Sequence, residues 1–66
     1  MEVIANGDRV TLPAGARLPE LFETLGVRAK WVVVELNGEP VERTAMGATV
    51  LKDGDRVELV RAVAGG

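Results

Sequence analysis

Sixty-six residues make one domain with a thin core, and leave no room for the deep pocket an independent enzyme needs. At 47% hydrophobic and 27% charged the chain is globular, and a net charge of −2 without a basic cluster argues against nucleic-acid binding. The lack of Cys and His excludes disulfides, thiolate nucleophiles, Cys/His zinc sites and imidazole bases, and it fits a reducing compartment.

In chain order, Met1 to Asn6 alternates, with Met1, Val3 and Ala5 on one side and Glu2 and Ile4 on the other, which is a strand period. Asn6-Gly7 signals a type I′ turn, and Val10-Thr11-Leu12 forms the return strand of a hairpin that Pro13 ends. Leu18 to Gly26 predicts a short helix. Pro19 suits its first turn, Leu18, Leu21, Phe22 and Leu25 form one apolar stripe, and Gly26 takes the left-handed cap. The β-branched run Trp31 to Leu36 predicts a central strand with Val32, Val34 and Leu36 facing the core and Trp31, Val33 and Glu35 opposite.

Asn37-Gly38 turns the chain into a short edge strand around Val41, where Pro40 is tolerated. Arg43 to Val50 reads as irregular. Lys52 to Asp55 is a turn into a final strand, Arg56 to Arg61, with Val57 and Leu59 inward and Glu58 and Val60 outward. Residues 1–62 form the domain and residues 63–66 a flexible C-terminal tail without polar side chains.

The chemistry is expected at that tail. Two terminal glycines arise by chance in roughly 0.5% of chains at average usage, a modest signal that gains weight because the final strand runs almost directly into them. Val63, Ala64 and Gly65 make a narrow thread with little side chain, and Gly66 presents an unhindered carboxyl carbon. A carboxylate is inert until activated, and activation by ATP requires a closed site on another protein.

The element order, β-hairpin, helix, then strands, resembles the β-grasp or ubiquitin-like α+β fold: a mixed sheet with one main helix on one face. That resemblance implies that the first and last strands lie side by side and parallel in mid-sheet. The segments Ile4-Ala5-Asn6-Gly7-Asp8, Val32 to Glu39, Val41 with Arg43, Thr49 to Val60 and Val63-Ala64-Gly65-Gly66 resemble the ThiS family, sulfur carriers of bacterial thiamine biosynthesis. Two departures are Ala64, where members often have a third glycine, and Ala62, where an aromatic is common.

The resemblance implies a carrier and co-substrate rather than an enzyme. A ThiF-like adenylating enzyme would convert the Gly66 carboxylate to an acyl-adenylate with ATP, and no cofactor would be bound by this chain. A cysteine desulfurase or related donor would supply the sulfur of a thiocarboxylate. A ThiG-like thiazole synthase would receive it. Alternatives are the molybdopterin synthase small subunit, a ubiquitin-like modifier of lysines, and an interaction domain with an accidental Gly-Gly.

Ile4, Val33 and Val60 point away from the helix and form a docking patch at the root of the tail if their strands are neighbours; the alternative is scattered surface residues. Arg61 and Arg56 are candidate contacts for an acidic partner surface. Trp31 reads as cover for the core's edge, and Asp53 and Asp55 as turn residues, since no metal-ligand set accompanies them. No apolar run is long enough to cross a bilayer and Met1 to Val10 is not a signal peptide, so the chain reads as a complete cytoplasmic protein, monomeric when free, with no nucleic-acid or membrane partner.

Overall fold

A computed structural model describes residues 1–61. The chain forms β1 (Glu2–Ala5), β2 (Asp8–Thr11), helix α1 (Leu18–Leu25), a 3-10 turn (Ala29–Trp31), β3 (Val32–Leu36), β4 (Glu39–Pro40), a 3-10 helix (Arg43–Ala48) and β5 (Arg56–Arg61). The sheet order is β2-β1-β5-β3-β4. β1 pairs with β5 in parallel, with Ala5 opposite Val57, and β5 pairs with β3 antiparallel over Val32 to Leu36. The terminal strands are therefore neighbours in mid-sheet, as the β-grasp resemblance implies.

Local chemistry explains the elements. Asn6 and Gly7 have φ values of 49° and 87°, the pair of positive angles that closes the tight β1–β2 hairpin. The helix begins without a Ser, Thr, Asp or Asn cap; instead Glu20 reaches back to accept the Arg17 N–H at 3.1 Å. It ends at Gly26 in the left-handed conformation, φ 71°, whose N–H donates to the carbonyl of Glu23. Leu18, Leu21 and Phe22 are buried against Val3, Val34 and Val57, so one helix face and one sheet face enclose the core.

Three sequence expectations shift. The irregular stretch after Arg43 is a 3-10 helix that buries Met46 beneath α1, and Arg43 ties it to the other 3-10 turn by donating to the Ala29 carbonyl at 2.7 Å. The third strand starts at Val32, because Trp31 closes the 3-10 turn before it. The edge strand covers Glu39–Pro40 rather than centring on Val41, although the Val41 N–H still donates to the Val34 carbonyl at 2.9 Å. The boundary drawn at residue 62 and the tail 63–66 lie outside the described residues.

The turn before β5 behaves as its composition implies. Asp53 accepts the Glu2 N–H at 2.7 Å, and Asp55 accepts the Lys52 N–H at 2.8 Å and the Asn37 carboxamide at 3.0 Å. Both carboxylates are thus engaged in fastening the chain to the start of the final strand.

Candidate functional site

Gly66, Gly65, Ala64 and Val63, the residues expected to carry and thread the reacting carboxyl, lie outside the described residues. The structure does describe the base from which they continue, the end of β5 at Arg61. Five residues follow Arg61, a reach of at most about 18 Å when fully extended. Any site acting on Gly66 is therefore close to this end of the sheet.

The open face of the sheet carries part of the expected patch there. Val60 stands directly opposite Val33, and the two are 62% and 51% exposed. The next pair along, Glu58 opposite Glu35, places like charges face to face, an arrangement a sheet does not favour for its own stability. Together these four side chains form an apolar pair with an acidic border. Ile4 does not join it. Ile4 pairs with Arg9 on one side and Arg56 on the other, about 13 Å along β5 from Val60 at ~3.3 Å per residue.

Arg61 belongs to the other face. It shares the parity of the core-facing Val57 and Leu59, and it lines a groove of ≈ 300 Å³ with Leu25, Val27, Leu59 and Asp8. Val60 and Arg61 thus flank the root of the tail from opposite sides. A larger groove of ≈ 470 Å³ lies between Leu36, Pro40 and Ala45. It is at the far end of β5, where Leu36 pairs with Val57, and so is remote from the terminus.

Two apolar residues at this end escaped the sequence reading as surface features. Leu25 lies in the helix stripe, yet at the last helical residue before Gly26 it is 38% exposed. Trp31, expected to cover the core's edge, is 43% exposed with the Lys30 ammonium 5.2 Å from its ring centroid. Leu25 lines the groove of Arg61 on the helix face, while Trp31 immediately precedes β3. Their exposure depends on strand register and helix length, which periodicity does not encode.

Among the described residues, no group of three or more His, Cys, Asp and Glu is placed to hold a metal, and no polar or charged side chain is buried. Among them too, no helix is long and apolar enough to cross a membrane.

Comparison with known proteins places these features in context. The ThiS family model matches residues 2–66. The sulfur carrier protein ThiS of Escherichia coli K12 is 29% identical, with both chains covered completely. A thiazole synthase of Magnetococcus marinus is 36% identical over all 66 residues, and the chain spans about a fifth, 20%, of that protein's length. The crystal structure of the thiamine biosynthesis protein ThiS from Geobacter metallireducens superposes with a TM-score of 0.83 at 42% identity, each chain covered in full.

Proposed function

The chain belongs to the ThiS family, and on that premise we propose that it carries sulfur on the carboxyl group of Gly66 for thiazole formation in thiamine biosynthesis. It is a carrier, not a catalyst. The observation that carries this reading is that the family match runs from residue 2 through Gly66 itself. The same match favours thiamine biosynthesis over a molybdopterin synthase subunit, a lysine modifier or a plain interaction domain.

The chemistry proceeds in two displacements. A Gly66 carboxylate oxygen attacks the α-phosphorus of ATP on an adenylating partner, forming an acyl-adenylate and releasing pyrophosphate. A hydrosulfide, released when a thiol reduces the persulfide of a sulfur donor such as a cysteine desulfurase and is itself oxidised to a disulfide, then attacks the carbonyl carbon. AMP leaves, and the product is a thiocarboxylate. Glycine suits both steps, because the absence of a Cβ lets the chain enter a narrow site and leaves the carbonyl open to attack.

The acceptor of the sulfur is a thiazole synthase. Support comes from the Magnetococcus marinus protein of that name, part of whose chain is similar to this one along its full length. The partners dock at the end of the sheet, on the Val33–Val60 pair of its open face. The reach of five residues requires contact in that region. The dependence on ATP and a reduced sulfur donor suits the cytoplasm.

Intact mass spectrometry tests the reading. The chain is incubated with an adenylating enzyme, ATP and sulfide. The expected result is a mass gain equal to exchange of one oxygen for sulfur, absent when Gly66 is deleted. A full-length chain that stays unmodified, or one that gains sulfur without Gly66, refutes it.

A further inference from the structure

Asn6 serves β5 as well as its own turn. β1 runs parallel to β5 as far as Ala5, opposite Val57, and the Asn6 N–H then donates to the Val57 carbonyl at 2.9 Å. A strand continuing in this register would next offer a carbonyl to the Leu59 N–H. The chain instead turns away through Gly7, and the Asn6 carboxamide fills the place. Its Oδ1 accepts the Leu59 N–H at 2.7 Å, and its Nδ2 donates to the Leu59 carbonyl at 3.1 Å. One planar amide thus substitutes for a peptide unit and extends the ladder beyond the end of β1.

We propose that Asn6 is a positioning residue for loading of the chain terminus: by holding Leu59 it fixes the direction in which β5 presents Gly66 to the adenylating partner. The assignment rests on the reading that Gly66 is activated by such a partner. Without the carboxamide, the last residues of β5 are paired on the β3 side alone, through Val60 with Val33 and Arg61 with Val32. A strand end held on one side swings more freely, and misplacement of a reacting group by about 1 Å costs up to a hundredfold in rate.

Asn37 provides the internal control. It has φ 52° in the equivalent Asn-Gly turn on the other side of β5, and its Oδ1 accepts the Arg56 N–H at 2.9 Å. It therefore holds the same strand through its Oδ1, with its Nδ2 donating to the Asp55 carboxylate at 3.0 Å, but at the other end of β5.

The test uses full-length Asn6→Gly, Asn6→Asp and Asn37→Gly with the adenylating enzyme and ATP. Glycine keeps the positive φ of each turn and removes the hydrogen bonds of the carboxamide, including that of Asn37 to Asp55. Pyrophosphate exchange gives kcat and KM at a temperature where every variant is folded, and hydrogen exchange follows the Leu59 amide. Asn6→Gly is expected to lower kcat about tenfold with KM within about twofold, since Val33 and Val60 are untouched, and to speed exchange at Leu59. Asn6→Asp keeps the acceptor, loses the donor and falls between. Asn37→Gly keeps the wild-type kcat. A wild-type kcat in Asn6→Gly, unchanged exchange at Leu59, or equal losses in Asn6→Gly and Asn37→Gly overturns the assignment. Absence of turnover with the unaltered chain overturns the carrier reading and this assignment with it.

Discussion

Replacing Val60 with Glu should separate docking from chemistry. Val60 is 62% exposed in the free protein, so more than half of its surface remains for a partner to cover. Complete burial of a valine side chain stabilises by about 1.5–2 kcal/mol, so the uncovered share corresponds to about 1 kcal/mol, or roughly fivefold in affinity, which is the expected effect of Val60→Ala. Glutamate adds the desolvation of a carboxylate, at least the about 1–3 kcal/mol of a neutral polar group, and stands beside Glu58 and opposite Val33. The total is at least about 2 kcal/mol, a rise in KM of roughly 30-fold or more. Folding is little affected, about 0.5 kcal/mol, because the site is on the exposed face. Pyrophosphate exchange against carrier concentration measures the change directly, with kcat at saturation close to wild type. If Val60→Glu leaves KM within about twofold of wild type, the Val33–Val60 face is not where the partner binds.

Deleting Gly66 should abolish thiocarboxylate formation while leaving the thermal midpoint unchanged, checked by intact mass and circular dichroism on one sample. Gly26→Ala forces a Cβ into a φ of 71°, yet that Cβ meets no atom within 4 Å. The cost is therefore backbone strain alone, about 1 kcal/mol, or about 4–8 °C in the thermal midpoint. Met46→Ala empties a buried site that is 5% exposed and should cost about 2–4 kcal/mol, lowering the midpoint by about 8–32 °C in a scanning calorimeter.

Much of the fold was legible because its turns have distinctive chemistry. Asn6-Gly7, Asn37-Gly38 and Gly26 each adopt the positive φ that their residue types favour, and they delimit the hairpin, the β3–β4 turn and the helix. The Arg43–Ala48 helix was not legible. Six residues give too short a period to detect, Gly47 lies within it, and its one buried anchor is Met46. The β-branched run predicts a strand from Trp31, but the chain completes a 3-10 turn there before extending.

The site divides in the same way. Alternation along β3 and β5 placed Val33 and Val60 outward, and the antiparallel register brought them together. Ile4 has the right parity as well. Its distance from Val60 comes from the parallel offset between β1 and β5, which no pattern within either strand encodes. Arg61 follows Val60 in the chain and must therefore point to the opposite face. Leu25 was expected in the core because helical periodicity does not reveal that burial ends before the last helical residue.

The position of β5 in the sheet has a mechanical consequence for a carrier. A chain end drawn into a narrow site on a partner pulls on the strand behind it. Had the terminus continued from β2 or β4, that strand would be held along one side only, and fraying would relieve the pull. β5 is held by β1 and Asn6 on one side and by β3 on the other, so peeling it away breaks two ladders at once. The terminal strand also lies in the core, through Val57 at 0% exposure, and cannot yield without opening the apolar interior. A firm base makes the distance from the end of β5 at Arg61 to Gly66 a property of chain length, at most about 18 Å. Adding one glycine between Arg61 and Gly66 should therefore leave KM near wild type and reduce kcat, because the Val33–Val60 face still docks while the carboxyl overshoots. Unchanged kcat in that insertion would mean that the partner accommodates slack, and that strand anchoring contributes nothing to delivery of the terminus.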